Sequence, residues 1–331
     1  METRTVPASP GVRLAPDQRR GRPRAVLLAK LVGAHSVQGS YRALWGYAFI
    51  SPWLVGLAVF VAGPIIASFY LSFTEYDILS PPRFTGLRNY VYALTGDTLF
   101  WPSLGRTFYY AVAVVPLGLL FSLSLAILLN QGLRGTNFYR TMFFLPHLTP
   151  GVALAILWVW LLNPQLGPIN AALRPLGLGE FPWLTAKETV IPSMIVMALW
   201  SIAGGNGMLI FLAGLQGVPH ELEEAAEIDG AGPWTRFRHV TLPMITPTLF
   251  FNLVLGIIGA LQVFSVAFVA TAGGPAYGSW FIALHIYNQA FSYMRLGYGS
   301  ALAWIFVVIV LTLTLINFAL SRRWVFYRGG S

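Results

Sequence analysis

From Pro219 to Pro243 the chain reads PHELEEAAEIDGAGPWTRFRHVTLP, and this segment differs in composition from the sequence on either side. Five of the chain's twelve acidic residues lie within nine positions of it. Pro219 suits the first position of a helix, and acids in the first turn favour the positive end of the helix dipole. Gly230 suits a helix C-terminus, where a left-handed residue is common. The pattern predicts a short acidic helix that ends near Gly230.

The chain around this segment is too apolar for a soluble protein. Of its 331 residues, 56% are hydrophobic and only 10% are charged, whereas soluble domains carry roughly 25% charged residues. A spanning helix needs about 20 mostly apolar residues. Long stretches without Asp, Glu, Lys or Arg therefore predict an all-α, polytopic membrane protein with six transmembrane helices. The predicted spans lie near 46–73, 106–130, 140–163, 188–216, 244–270 and 299–321.

The remaining segments divide the chain into a tail and a membrane domain. Residues 1–40 are rich in Arg, Pro and Gly, and we expect a basic, largely disordered tail there. Residues 41–328 contain the six predicted spans, and 217–243 is the loop between the fourth and fifth of them. Segment 270–298 is polar enough for a connecting loop, with short helical or re-entrant parts.

The basic residues predict the orientation of the spans. Fifteen of the 21 Lys and Arg residues fall on the side that holds both termini and the loop 217–243, and six fall on the other side. Cytoplasmic loops carry the excess of basic residues, so both termini and this loop are expected in the cytoplasm. The net charge of +9 then reflects a basic tail held at an anionic leaflet, and nucleic acid is not an expected partner.

The sequence lacks the residues that several kinds of chemistry require. The chain has no cysteine, which excludes disulfides and cysteine metal sites, and no other metal-ligand spacing occurs. It has no GxxxxGK[ST] phosphate loop and no catalytic constellation. We therefore expect no enzymatic activity and no cofactor on this chain. The spans also hold no mid-membrane acid to carry a proton, which argues against a stand-alone secondary carrier, although backbone carbonyls can hold sodium in such proteins.

The Pro219–Pro243 segment resembles a motif of the binding-protein-dependent permeases of ABC importers, the MetI-like family. That motif has the form E-A-A-x3-G-x9-I-x-L-P in a cytoplasmic loop. The chain matches its spacing at seven positions, with valine in place of isoleucine as the one departure: Glu224, Ala225, Ala226, Gly230, Val240, Leu242 and Pro243. In the family this segment is the coupling helix, which docks in a cleft of the ATPase subunit. The resemblance implies that Glu224 to Ala231 dock in the same way.

The resemblance extends from about residue 41 to 328 and is strongest to the carbohydrate-uptake branch, similar to maltose, glycerol-3-phosphate and lactose-type permeases of the first-permease type. It is carried by PIIASFYLSFTEYD at 64–77, FTGLRNY at 84–90, FLAGLQ at 211–216 and GGP at 273–275. It implies a six-span MetI-like permease domain in a bacterial inner membrane. The implied partners are a second homologous permease, an ATPase dimer that holds ATP and Mg²⁺, and an extracytoplasmic solute-binding protein.

Two groups of residues are expected to function in transport, one in ATPase coupling and one along the solute path. Those implied in ATPase coupling are Glu224, Ala225, Ala226, Asp229, Gly230, Ala231, Leu242 and Pro243. The family architecture places the solute path among the central helices, where the polar and aromatic candidates are Asn206, Asn252, Gln262, Trp200 and Phe264. Each candidate has a simpler explanation, since amides also join helices and aromatic rings also pack against lipid. Arg236 and Arg238 either pair with ATPase acids or anchor the loop at the interface.

Together these features predict a permease subunit of an ATP-driven importer that translocates a sugar or a related solute. Two alternatives stay open, namely a stand-alone secondary carrier and an ABC permease for a non-sugar solute. The sugar rests on the resemblance alone.

Overall fold

The computed structural model describes residues 37–132, 134–177 and 180–326. These residues are mostly helical, and the strands among them form one hairpin, in which Thr74–Glu75 (β1) pairs antiparallel with Arg83–Phe84 (β2). The all-α prediction is confirmed. The predicted disorder of the tail falls on residues 1–36, which lie outside the described residues. A helix already begins at Val37, inside the segment assigned to the tail.

The described helices follow one another closely along the chain. In order they are α1 Val37–Gly56, α2 Gly63–Ser72, α3 Arg88–Thr95, α4 Phe100–Asn130, α5 Thr136–Leu148, α6 Gly151–Leu161, α7 Pro168–Leu173, α8 Val190–Ile202, α9 Asn206–Gln216, α10 His220–Ile228, α11 Pro233–Arg236, α12 Leu242–Met244, α13 Thr246–Leu261, α14 Ser265–Ala270, α15 Ile282–Tyr287 and α16 Leu296–Ser321. A 3₁₀ turn covers Arg174–Leu176, and π-helical turns cover Leu57–Ala62, Phe237–Thr241 and Asn288–Ser292.

The membrane spans are partly straight and partly broken. In the part of the chain that the structure describes, four helical segments are long and apolar enough to span a membrane: Trp45–Ser72, Phe100–Asn130, Thr246–Ala270 and Leu296–Ser321. The pairs α5–α6 and α8–α9 each reach span length together but are bent by 94° and 47°. Counted as broken spans, they complete the six that the sequence predicts.

The bend in the third span is a difference from the prediction of a continuous helix over 140–163. Thr149, which follows α5, is extended, with φ −71° and ψ 129°. Pro150 comes next, and a residue before proline is held away from the helical region. The span therefore stops and restarts in a new direction. The second span also differs, since its helix begins at Phe100 rather than near residue 106.

Two π-helical turns precede a proline by two positions. Leu57–Ala62 lies before Pro64, and Phe237–Thr241 lies before Pro243. Proline lacks the N–H that a helix needs, and its ring crowds the carbonyl four residues earlier. A π turn absorbs this mismatch without ending the helix.

By its internal contacts the chain divides into two units, Met1–Ala67 and Ser68–Ser331. The described part of the first unit is helical throughout, and its Leu57–Ala62 turn contains no buried residue. In the second unit α4 is the central helix, because it contributes to three separate apolar clusters. Phe100 packs with α15 and α16, Val114 with α6, α8 and α13, and Ala126 with α9.

One carboxylate ties three distant segments together at the start of α4. His285 of α15 binds Asp97 with 2.8 Å between Nε2 and Oδ2, and the Tyr298 hydroxyl donates to the same oxygen. The Trp280 indole N–H donates to Nδ1 of His285 at 3.1 Å, so the ring carries its proton on Nε2 and donates it to Asp97. We call these four residues the Asp97 cluster.

The Asp97 cluster is buried, with His285 0% and the Asp97 side chain 7% exposed. Burial by itself raises the pKa of Asp97, but the hydrogen bonds from His285, Tyr298 and the Leu99 amide outweigh it and lower the pKa from 3.8 to about 2. The carboxylate is therefore charged and satisfied. The predicted loop 270–298 does contain short helical parts, as expected, and the Asp97 cluster fixes α15 to the neighbouring spans.

Candidate functional site: a membrane cavity and an acidic loop helix

A cavity of about 260 Å³ lies among α4, α9 and α13, beside the end of α5. Its walls are mainly aliphatic side chains and glycines. The polar groups that reach it are few, namely Ser122, His147, Asn206 and Asn252. Such a mostly apolar cavity with a few polar groups is typical of a small-molecule site. The structure therefore brings together two of the five predicted path residues, Asn206 and Asn252.

The polar groups of the cavity are partly held by the helix backbones. Asn252 is 6% exposed, and its amide donates to the Thr248 carbonyl of the preceding turn at 3.2 Å. Ser122 of α4 donates to the carbonyl of Ile202 at the end of α8, at 3.1 Å. Asn206 opens α9 directly after the break and is exposed. The side-chain carbonyl oxygen of Asn252 accepts no hydrogen bond from the described residues.

The two broken spans meet beside this cavity. A side chain on Gly204 would lie 2.0 Å from the carbonyl oxygen of Phe143, and one on Gly205 would lie 2.8 Å from Nδ1 of His147. Only glycine permits this close approach of α5 to the break between α8 and α9. The contact also carries His147 to the cavity wall, a role that the sequence did not indicate. The glycine pair opposite a helix end that carries aromatic residues and His147 is the signal that would have found it.

Gln262, Trp200 and Phe264 do not line this cavity. Gln262 is exposed just after α13. Trp200 is 61% exposed and meets only the edge of Trp158 among described aromatic rings, with centroids 6.3 Å apart. Phe264 stacks on Phe268 with centroids 5.3 Å apart and also contacts an aromatic ring of the following segment. These three residues belong to other surfaces of the membrane domain.

The acidic segment folds as the helix α10, His220–Ile228. The sequence predicted Pro219 at the first position of this helix. In the structure Pro219 instead lies just before the helix, in an extended conformation. Gly230 has φ +81°, and no neighbouring atom lies within 4 Å of where a side chain would begin. The glycine is thus required by the backbone turn and not by crowding. Ala231 completes the stop, because its N–H donates to the Ala226 carbonyl at 2.9 Å.

Side chains on one face of α10 bind other residues of the same chain. Glu223 accepts a hydrogen bond from the Thr241 hydroxyl at 3.2 Å. Glu227, one turn later, forms an ion pair with Arg236 at 2.5 Å. Arg236 therefore has a partner within its own chain, which the sequence had offered only as an ATPase contact or a membrane anchor. Thr241 begins the path back to the membrane, so this face connects α10 to the fifth span.

The other face of α10 is open. Glu224 and Ala225 are exposed, and Ile228, one turn further, is 87% exposed. Of the remaining predicted coupling residues, Asp229 and Gly230 are exposed, while Ala226 and Ala231 are half-buried. The face thus combines an acid, a small residue and a large apolar residue, whose side chains make no hydrogen bond or ion pair with the described residues.

Leu242 and Pro243 lie behind α10, in α12. Leu242 packs against an apolar cluster that includes Phe211 and Leu215 of α9. These two predicted coupling residues therefore connect the loop to the membrane domain and do not share the exposed face.

The chain is similar to known proteins over both regions. Residues 114–325 match the family model of the binding-protein-dependent transport system inner membrane component. This range contains the cavity and α10. The chain is 42% identical over 290 residues to the probable ABC transporter permease protein YesP of Bacillus subtilis, covering 86% of this chain and 93% of that protein.

Two further similarities cover nearly the same length. The probable starch degradation products transport system permease protein AmyD of Thermoanaerobacterium thermosulfurigenes is 32% identical over 280 residues, which is 85% of this chain and 94% of that protein. Among solved structures, a chain of a bacterial ABC transporter involved in the import of the acidic polysaccharide alginate matches with a TM-score of 0.76 and 25% identity. That match covers 86% of this chain and 96% of the other. The chain therefore belongs to the family of inner membrane components of binding-protein-dependent transport systems, and it is an ABC transporter permease.

Proposed function

We propose that this permease translocates a sugar or a small oligosaccharide inward, driven by a separate ATPase. The observation that carries the proposal is the family match over 114–325, which includes both the cavity and α10. AmyD is a permease for starch degradation products, and the alginate transporter imports a polysaccharide. This chain has no phosphate loop, so ATP and Mg²⁺ would bind to the partner ATPase and no cofactor to this chain.

The exposed face of α10 is the proposed ATPase contact. Glu224, Ala225 and Ile228 would enter a cleft on the ATPase, while Glu223 and Glu227 hold the helix to its own chain. A helix fastened at its base transmits a rigid-body movement better than a free loop would. Closure of the ATPase dimer would thus move α13, which begins immediately after the Thr241 and α12 connection.

The cavity among α4, α9 and α13 is the proposed solute path. Asn206, Asn252 and His147 would bind solute hydroxyls, and Ser122 would hold the α8–α9 break in position. A second, homologous permease would complete the path from the other side. By the excess of basic residues, α10 and both termini would face the cytoplasm. The solute-binding protein would then dock on the opposite side, on the loops that carry α3, α7 and α15.

The proposal is tested by transport in proteoliposomes that contain the chain with its co-purified subunits. We expect uptake of labelled maltodextrins or monosaccharides that requires both Mg²⁺-ATP inside and a loaded binding protein outside. Uptake driven by an ion gradient without ATP would identify a stand-alone carrier instead. ATP-dependent uptake of amino acids but of no saccharide would retain the permease and reject the sugar.

The path is tested separately by a matched pair of amides. Asn252→Ala should reduce saccharide uptake by about tenfold or less, because it removes one hydrogen bond to the solute. Asn317→Ala is the control, since Asn317 of α16 also donates to the carbonyl of the preceding turn, at 2.9 Å, but does not line the cavity. Equal uptake by the two variants, with equal amounts in the membrane, would reject the path through this cavity.

A further inference from the structure

A second cavity, of about 480 Å³, lies at the end of α2 and the start of α16. Its walls carry four tyrosines and four charged residues, two of each sign. The charged residues are Glu75, Asp77, Arg88 and Arg295. Nothing in the proposed transport path uses this cavity. We call it the interfacial pocket.

The interfacial pocket lies beside the ends of two apolar spans, where a spanning helix meets the polar region of a bilayer. α2 ends at Ser72 and α16 begins at Leu296, so the charged residues on β1 and before α16 lie within five positions of the ends of two spans. The polar region on each side of a bilayer is about 5–8 Å thick, so Arg295, one position before α16, is expected within it. Tyr298, in the first turn of α16, forms part of the pocket wall. Tyrosines commonly occupy this interfacial layer.

Some charged groups of the interfacial pocket have partners among the described residues, and others do not. Arg88 and Glu75 lie 3.6 Å apart and are each about 70% exposed. The guanidinium of Arg295 makes no hydrogen bond or ion pair with any residue that the structure describes. Asp77 accepts a hydrogen bond from the Ser80 N–H at 2.8 Å through Oδ1, and its Oδ2 has no partner within the described ranges. With respect to the described residues, the pocket thus offers one unpaired guanidinium and one unpaired carboxylate oxygen beside a weak ion pair.

These charges favour a ligand that itself carries both signs. A neutral saccharide would leave Arg295 uncompensated, and a simple anion would face the two carboxylates. A phosphate matches a guanidinium, which donates two parallel hydrogen bonds. A primary ammonium donates up to three hydrogen bonds and so suits carboxylates, whereas a quaternary ammonium donates none.

The membrane-facing surface next to the pocket is apolar. Phe69 and Tyr70 of α2 are 47% and 54% exposed, and Val307 and Val308 of α16 are 49% and 59% exposed. The two helices also touch, since the Phe69 and Trp304 rings lie 4.9 Å apart. A molecule with a headgroup in the pocket would find apolar surface for its acyl chains on the same two spans.

We propose that the interfacial pocket binds the phosphoethanolamine headgroup of a phospholipid, with its phosphate at Arg295 and its ammonium at Asp77. The bound lipid lies where α2 meets α16 and stabilises that contact. This site is independent of the sugar, of the ATPase and of the orientation of the chain in the membrane.

The test is native mass spectrometry of the purified full-length permease, with the subunits that accompany it, after incubation with phosphatidylethanolamine, phosphatidylglycerol or phosphatidylcholine. We expect retention of phosphatidylethanolamine in preference to the other two. Arg295→Gln should lower retention of phosphatidylethanolamine and phosphatidylglycerol by about tenfold, because it removes the phosphate contact. Asp77→Asn should instead abolish the preference for phosphatidylethanolamine over phosphatidylglycerol.

Arg83→Gln is the matched control, because Arg83 is an exposed arginine on β2 that does not line the pocket. Equal retention by wild type, Arg295→Gln and Arg83→Gln would overturn the proposal. Equal retention of phosphatidylcholine and phosphatidylethanolamine would also overturn it. Soluble phosphoethanolamine provides a second measurement. Competition between this compound and phosphatidylethanolamine would support recognition of the headgroup. Binding of soluble phosphoethanolamine by a permease that retains no phosphatidylethanolamine would reject a lipid site. Loss of binding-protein affinity in Arg295→Gln with lipid retention unchanged would assign the pocket to docking instead.

Discussion

Acidic side chains serve opposite purposes in the Asp97 cluster and in α10. Asp97 is a single buried carboxylate that accepts hydrogen bonds from His285, Tyr298 and the Leu99 amide. The acids of α10 are crowded together on a loop, and Glu224 remains exposed without a partner among the described residues. A satisfied charge in the interior stabilises the fold, whereas an unsatisfied charge on the surface is available to another protein. Substitutions in the Asp97 cluster should therefore change the free energy of unfolding, whereas substitutions on the exposed face of α10 should change transport.

The largest effect on stability is expected from Asp97→Asn. The amide retains the shape but removes the charge that three donors share, which should lower the free energy of unfolding by roughly 3 kcal/mol. Unfolding by denaturing detergent measures this loss. Glu188→Gln is the control, because Glu188 is an exposed acid on another loop. A loss of equal size in both variants would show that the Asp97 cluster has no special role.

The stability that the Asp97 carboxylate contributes should depend on pH. The pKa of Asp97 is lowered in the folded state from 3.8 to about 2, so its contribution is complete above pH 4 and is lost as the pH falls from about 4 to 2. The total contribution is about 2 kcal/mol. The difference in unfolding free energy between wild type and Asp97→Asn should shrink by this amount over that range. A difference that stays constant down to pH 2 would contradict the lowered pKa.

In α10 the expected effect is on transport and not on folding. Glu224→Lys should reduce ATP-dependent uptake by about tenfold or more, since a reversed charge opposes docking on the same partner surface. The unfolding free energy should change by no more than about 0.5 kcal/mol, as is usual for exposed positions. Glu188→Lys makes the same charge reversal on the loop that carries α7 and should leave the ATPase bound to the permease, whereas Glu224→Lys should weaken that binding. Normal uptake by Glu224→Lys would remove the coupling assignment.

The smallest effect is expected from Arg236→Gln, which breaks the pair with Glu227. The Glu227 side chain is 68% exposed, and exposed ion pairs contribute about 0.2–1 kcal/mol. Unfolding measured at low and at high salt should show a loss that salt diminishes. A loss as large as that of Asp97→Asn would mean that the tied face of α10 is part of the folded core.

The Pro219–Pro243 segment was the part of the candidate site that the sequence predicted best, because a short helix and its ends depend on neighbouring residues. Acid density, Pro219 and Gly230 indicated the helix, and the structure differs only in placing Pro219 just before it. The cavity was less predictable. Asn206 and Asn252 were identified as polar residues in spans, but the same criterion selected Gln262, which lies elsewhere. Nothing local distinguishes an amide that faces a cavity from one that faces another surface.

The sequence by itself determined that the chain is a helical membrane protein with several apolar spans and that it contains a short acidic helix before Gly230. Both conclusions follow from runs of neighbouring residues, since burial in lipid and helix capping depend on nearby positions. Only the tertiary structure decided which distant residues meet. Asp97 binds residues 188 and 201 positions away, and His147 reaches the cavity because Gly204 and Gly205 let two broken spans approach closely. Such contacts depend on how whole helices pack, and no periodicity in the sequence encodes them.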